Sequence, residues 1–496
     1  MPPMPRAPAL RTCLTDLSLT LSLIVGVGAT AAAGVACSAV SKVDYASCEA
    51  STDCRGAFGL SWVCGAAGLC EEVTLDPRCV TYPTKLFTDP EYADAIVLGS
   101  LFDHNKSDGD LKLVNSASLA IEEANASQLE GRKFGIVHCD YHSDPAIDDL
   151  TAEDAALAGA RYLVDQLGAA AIIGPGTSDL AQVVLAELQK PDHAQPTLIV
   201  SPSATSPSLT DADPRDGSDP GLFWRTAPPD SLLSKVLADK MTAAEVASAI
   251  VIYDGGAYGS GIALALDKNF DPDPELIAYE DPKKIVSIVD QVSKRTPGDD
   301  VAVVFIASDV QEVIDFLNAA SAYPEFYANV QLFLGDAAYN DAVLMKTQGA
   351  SALYPKIRGV FPGGPSGSVY KFFVASYKAL WDGEDPEDAS YSSYTYDATW
   401  LALYGAAWAQ YKRDGELDNG LNYAFGLQQV SDPNGLKIEI NGGNWNTVKR
   451  EFKAGRAINV VGASGELDYD PATEETTAPV IFWKIKDTND GFEDAE

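Results

Sequence analysis

Short apolar runs alternate along this chain with longer stretches in which apolar residues recur every three or four positions. The runs predict buried strands, and the stretches predict amphipathic helices. Strands are expected at Ala95–Gly99, Phe134–Val137, Ala170–Ile173 and Leu198–Val200, with helices over Leu111–Ala126 and Ala152–Leu167. The rhythm then restarts. A second set of strands falls at Ala249–Tyr253, Glu275–Tyr279, Val301–Ile306 and Val330–Leu334, with helices from Gly261, over Pro282–Lys294 and over Val310–Ala322. Such alternation implies parallel sheets covered by helices on both faces. The restart implies two similar α/β, doubly wound lobes. Beyond them, Val369–Gln410 reads as helical and aromatic-rich, and Ala457–Val461 and Val480–Lys484 read as late strands.

The N-terminus follows another pattern. Arg6 and Arg11 precede an uncharged apolar run, Leu17–Ala36, which ends in small residues immediately before Cys37. A basic start, an apolar middle and a small-residue end make an export signal. The placement of Cys37 resembles a bacterial lipoprotein signal, in which that residue is acylated, although Gly34 stands where such signals usually carry Leu. An uncleaved membrane anchor is the alternative. Cysteine usage fits export. Cys48, Cys54, Cys64 and Cys70 crowd together, with Cys79 and Cys139 beyond, and an even set of six reads as a disulfide framework. The clustered four allow three pairings, leaving Cys79 and Cys139 for each other. Zinc sites use tighter pairs such as C-x2-C. The Cys-rich stretch has too few apolar residues for a core of its own, so disulfides must hold it, and it reads as a spacer. With 35 basic against 71 acidic residues the chain carries a formal charge of −36. That field excludes nucleic acid as a partner.

In doubly wound sheets, ligands sit at the carboxyl ends of the strands. The loops expected there include Phe102-Asp103-His104-Asn105, Gly174-Pro175-Gly176-Thr177-Ser178, Ser201-Pro202-Ser203-Ala204-Thr205, Asp254-Gly255-Gly256-Ala257-Tyr258 and Gly335-Asp336-Ala337. They are small, hydroxyl-bearing and Gly-rich. The Gly174 loop opens a helix at Asp179, so its N–H groups suit an anion such as a carboxylate. Asp336 offers a partner for a cation. A dinucleotide fingerprint is excluded because Asp179 occupies its third glycine position. No phosphate loop and no G-x-S-x-G elbow occurs. His138-Cys139-Asp140-Tyr141-His142 could be drawn as a metal site. Strand alternation turns His138 and Cys139 to opposite faces, and the reading preferred is a disulfide at Cys139 with solvent-facing histidines. No spacing singles out an acid–base pair among the carboxylates. Tyr391, Tyr394, Tyr396 and Trp400 read as core.

Taken in order, several phrases resemble the type I periplasmic solute-binding proteins, the group that contains the branched-chain amino-acid binders. They are Leu119-Ala120-Ile121-Glu122-Glu123-Ala124-Asn125, Ile173-Gly174-Pro175-Gly176-Thr177-Ser178, Ser201-Pro202-Ser203-Ala204-Thr205-Ser206-Pro207-Ser208 and Phe223-Trp224-Arg225-Thr226-Ala227-Pro228-Pro229-Asp230. Ala257-Tyr258-Gly259, Tyr396-Asp397-Ala398 and Gly462-Ala463-Ser464-Gly465-Glu466-Leu467 continue the match. The resemblance implies two Rossmann-like lobes joined by three crossovers and closing on a ligand. It implies that Ser178 and Thr205 bind a ligand carboxylate and that Ser203 and Ala204 add backbone contacts. Thr177 and Phe102 would line the site, Tyr258 would cover the ligand, and Asp336 would hold an ammonium. The organisation expected is a lipoprotein signal over 1–36, a Cys-rich spacer and linker over 37–90, and lobe 1 over 91–240. Lobe 2 follows over 241–362, a return to lobe 1 over 363–455, and the end of lobe 2 with an acidic tail over 456–496. The function implied is an extracytoplasmic, membrane-tethered binder that delivers an amino acid or related carboxylate to an ABC-type permease, with no metal, cofactor or catalysis. The alternatives are a sensory receptor domain of the same fold and an enzyme using an acid pair.

Overall fold

The computed structural model describes residues 47–495, apart from Ala50, Ala66, 106–107, Ala194, 214–218, 364–365 and 477–478. The expected signal and the lipidation expected at Cys37 lie outside the described residues. A small module comes first: α1 (Ser51–Phe58), β1 (Trp62–Cys64) and β2 (Cys70–Glu72), with β1 and β2 antiparallel. Disulfides Cys48–Cys64 and Cys54–Cys70 staple it, selecting one of the three pairings.

Lobe 1 begins with β3 (Cys79–Tyr82), β4 (Ile96–Phe102), α2 (Asp108–Asn125), β5 (Phe134–Asp140) and α3 (Ala152–Arg161). It continues through β6 (Ala171–Ile173), α4 (Ser178–Leu188), β7 (Leu198–Ser201), α5 (Ser208–Ala212) and β8 (Phe223–Arg225). Its sheet runs β3-β5-β4-β6-β7-β8, parallel except for β3. Every residue of β4 and β5 is buried, as parallel strands covered on both faces require.

Lobe 2 contains α6 (Asp230–Ala243), β9 (Ser248–Asp254), α7 (Ala257–Asn269), β10 (Glu275–Tyr279), α8 (Ile285–Val292) and β11 (Val301–Ile306). Then come α9 (Val310–Ala320), α10 (Pro324–Tyr327), β12 (Gln331–Leu334), α11 (Asp341–Lys346) and β13 (Ile357–Pro362). The chain returns to lobe 1 for α12 (Gly367–Leu380), α13 (Ser392–Lys412), α14 (Gly420–Leu427), β14 (Leu436–Glu439), α15 (Trp445–Lys453) and β15 (Ile458–Val461). It ends in lobe 2 with β16 (Val480–Ile485) and β17 (Phe492–Asp494), completing the order β10-β9-β11-β12-β13-β16-β17. The chain therefore crosses between lobes three times: β8 to α6, β13 to α12, and β15 to β16.

The structure redraws three expected boundaries. The linker is not only a spacer: β3 pairs with β5, and disulfide Cys79–Cys139 joins two residues in register across that pair. Lobe 2 starts at Asp230 and not at 241, because Leu233, Leu237 and Met241 of α6 pack in the core formed with α7 and β9. The lobe 1 return extends past 455, because β15 pairs with β14 and Ile458, Val460, Leu467 and Tyr469 join the lobe 1 core. Among the helices, α7 starts at Ala257 and not at Gly261.

Candidate ligand-binding site

Both lobes carry the same parallel strand order. In lobe 1 it is β5-β4-β6-β7-β8, and in lobe 2 it is β10-β9-β11-β12-β13. Each order reverses beside its first strand, between β4 and β6 and between β9 and β11. Loops that leave the carboxyl ends of strands at such a reversal splay apart and leave a crevice.

In lobe 1 that crevice is built by two loops held from behind. Gly174 has φ +92°, and a Cβ there would lie 2.5 Å from the Leu101 carbonyl oxygen, so glycine lets the chain turn tightly against β4. The turn delivers Thr177, whose hydroxyl caps α4 by accepting from the Leu180 N–H. Ser178, the first residue of α4, is buried, and its Oγ accepts the Ser206 N–H at 3.1 Å. Ser203 Oγ donates to the Gly176 carbonyl at 2.7 Å. Ser201 Oγ donates to the Pro175 carbonyl and accepts the N–H of Ala204 at 3.0 Å and of Ser203 at 3.4 Å. The hydroxyls of this loop therefore bind the loops to each other, and the N–H groups expected from Ser203 and Ala204 already have partners. Arg225 braces the same loop with bonds to the carbonyls of Ala204 and Ser206. Thr205 differs: it is buried, and its hydroxyl has no hydrogen-bond partner. Phe102 is buried at the end of β4, and its ring and the Tyr141 hydroxyl lie 3.7 and 3.6 Å from the position a Cβ at Gly176 would take.

Lobe 2 supplies acid. Asp336 starts a short 3-10 turn after β12 and is buried. One of its oxygens accepts from the Tyr258 hydroxyl of α7, and the other accepts from the Tyr391 hydroxyl at 2.6 Å. Tyr391 comes from the returning segment just before α13, so Asp336 is held from both lobes. Asp230, the first residue of α6, is fully buried. Neither of its oxygens meets a donor, and the Thr205 hydroxyl beside it falls short of hydrogen-bond geometry. Burial pushes its carboxyl well above the usual range, and the charge of Asp336 pushes further. Burial and the same acids also raise Tyr258 and Tyr391.

Tyr258, Asp336, Asp230 and Thr205 thus lie beside one another, with Ser178 bound to Ser206, the residue after Thr205; Asp230 and Tyr391 were not assigned a role. Asp230 ends the phrase that leads into lobe 2, and the Pro228-Pro229 pair before it was the available sign of a pinned helix start. Tyr391 was read as core. His138 was expected to face solvent, yet it is fully buried, with its ring nitrogens 2.6 Å from Ser100 Oγ and 3.0 Å from Ser118 Oγ. Burial pushes its pKa down to about 3. His142 stands 3.3 Å from Asp103. The lobes also touch directly. Ser206 Oγ donates to the Ala257 carbonyl, and the Ala257 N–H donates to Asp179, each at 2.7 Å, so this is a closed cleft.

Residues 113–482 match the family described as the receptor family ligand binding region. The chain is 27% identical over 370 residues to the chemotactic signal transduction system substrate-binding protein BasB of Halobacterium salinarum, covering 73% of this chain and 79% of that one. Among solved structures it is similar to the branched-chain amino acid transporter substrate binding protein LivJ of Streptococcus pneumoniae in complex with isoleucine. That match has 18% identity and a TM-score of 0.58, over 81% of this chain and 99% of that one. It is similar as well to a solute binding protein of an ABC transporter from Rhodopseudomonas palustris BisB5 in complex with 3,4-dihydroxybenzoic acid. There the identity is 13% and the TM-score 0.59, over 81% of this chain and 96% of that one. At these identities the structural likeness concerns the fold.

Proposed function

The chain belongs to the family of receptor ligand binding regions and has the type I periplasmic-binding fold; from that premise we propose that it binds a small solute, an α-amino acid, in the cleft between its lobes. One observation carries the choice of solute: two buried carboxylates, Asp230 and Asp336, face a site whose other wall is a helix N-terminus with Ser178 and Thr205. Arg225 is the cation acting on Asp230, but its Nη1 and Nη2 are committed to Ala204, Ser206, Thr210 and Glu475, and its buried Nε meets no acceptor, Asp230 included. A buried carboxylate is costly without a cation. A ligand ammonium supplies one, while its carboxylate meets the remaining N–H groups of α4 and the free Thr205 hydroxyl. A benzoate satisfies the second half of this arrangement and aggravates the first.

Binding is the whole of the proposed activity, without turnover, and the closed form is what a membrane partner reads. That partner is an ABC permease in the first reading. The chemotaxis role in the name of the BasB relative favours a second, in which the partner is a sensor. The three disulfides and the apolar run before Cys37 support a site of action outside the cytoplasm, with Cys37 as a lipid tether.

The test is a thermal-shift screen with the twenty proteinogenic amino acids and 4-hydroxybenzoate. A ligand at about 100 times its Kd adds roughly 2.7 kcal/mol. The expected result is a rise with an amino acid that disappears in Asp336→Asn and in Thr205→Val. A rise with 4-hydroxybenzoate alone would remove the ammonium site from the proposal.

A further inference from the structure

Helix α7 of lobe 2 has no capping side chain at its N-cap position, and Asp254, two residues earlier, accepts from the Gly256 and Gly259 N–H groups but not from Ala257. Gly256 occupies its N-cap position and contributes no side chain, whereas an oxygen-bearing residue normally satisfies the first free N–H groups there. The first helical N–H, at Ala257, is instead satisfied from the other lobe by Asp179 Oδ1 at 2.7 Å. Asp179 is itself the second residue of α4. The N-terminus of α7 therefore meets two carboxylates, Asp254 of its own lobe and Asp179 at the start of α4, and its partial positive charge holds both despite their mutual repulsion. Ser206 Oγ adds a second bond to Ala257 through its carbonyl.

The acid on the lobe 2 side has other partners. Asp254 accepts from the Gly256 N–H at 3.1 Å, the Ser308 N–H at 3.0 Å and the Gly259 N–H, all in its own lobe, which leaves the Ala257 N–H to Asp179. Capping across the cleft therefore falls to Asp179. The absence of a side chain at Gly256 is part of the arrangement. A Cβ there would stand 2.8 Å from both Asp179 oxygens and 3.0 Å from Asp254 Oδ1, so any larger residue would fill the seam through which the cap is made.

We propose that Asp179 is the closure latch of the cleft, a lobe 1 carboxylate that caps a lobe 2 helix only when the lobes shut. It is a positioning residue: it stabilises the closed state that traps the ligand and does not touch the ligand. The proposal rests on reading the cleft as an amino-acid site.

The test is calorimetric titration and stopped-flow dissociation of the full chain with whichever of the twenty proteinogenic amino acids stabilises the wild type. A cap lost only from the closed state should weaken Asp179→Ala about fivefold in affinity, with the change in the dissociation rate. Asp179→Asn keeps an oxygen acceptor and should restore most of the affinity, and Gly256→Ala should lose it as Asp179→Ala does. Wild-type affinity in Asp179→Ala, or an Asn variant as weak as the Ala variant, overturns the latch. If no amino acid binds the wild type, the ligand reading fails separately. The latch is then judged by X-ray scattering of the ligand-free chain: a larger radius of gyration in Asp179→Ala supports it, and an unchanged radius overturns it.

Discussion

In the proposed binding mode, Asp230 serves the site at the expense of the fold. Its carboxyl is raised from 3.8 by burial first and by Asp336 second. A group whose folded pKa lies above its unfolded value contributes fully below the unfolded value and loses that contribution as pH rises through the folded one. The ligand-free chain should therefore lose thermal midpoint above pH 3.8, and Asp230→Asn should flatten that slope. At pH 8 the variant should be more stable by roughly 1–3 kcal/mol, since replacing an uncompensated buried charge removes its desolvation cost, and it should no longer respond to an amino acid. Calorimetry from pH 4 to 8 checks both parts; an unchanged slope would mean that Asp230 is already neutralised from within the protein. At this scale the sequence was half legible. Thr205 and Asp336 sit in loops whose position follows from strand order. Asp230 and Tyr391 come from a crossover and a returning segment, and no local pattern links either to the cleft.

At the scale of elements, the loops are as well specified as the helices they join. α13 shows this through Asp397, which is fully buried and accepts from the Ala463 N–H at 2.9 Å, the Ser464 N–H at 2.7 Å and Ser464 Oγ at 2.6 Å. The turn after β15 is thereby fixed to a helix more than sixty residues earlier. A Cβ at Gly462 would lie 2.2 Å from Asp397 Oδ2, so this approach requires glycine. Asp397→Ala leaves two buried N–H groups unpaired and should cost about 3 kcal/mol in urea unfolding; a loss below about 1 kcal/mol would mean that water replaces the carboxylate. The expected Tyr396-Asp397-Ala398 and Gly462–Leu467 phrases are thus two halves of one structural contact.

For the whole molecule, the three crossovers make lobe 1 discontinuous, assembled from segments before and after the first part of lobe 2. The module stapled by Cys48–Cys64 and Cys54–Cys70 precedes β3, and Arg55 ties it to lobe 1 through a bond to the Gln166 carbonyl at 3.2 Å. It therefore docks on lobe 1 and lies only ten residues after the proposed lipid site, counted from Cys37 to Ser47. In cells, Cys37→Ser should move the protein from the membrane fraction to the soluble exported fraction; retention in the membrane would point to an uncleaved apolar anchor instead.

The sequence by itself determined the strand–helix rhythm, the two doubly wound units and the loops in which a site had to fall. These depend on periodicity within one element and on the chirality of short connections. The tertiary structure alone decided which lobe owns α6 and β15, how the clustered cysteines pair, and which acids share one buried space. It also decided that Asp179 reaches across to cap α7. Those outcomes depend on distances between residues far apart in the chain, which are set when the lobes pack and close.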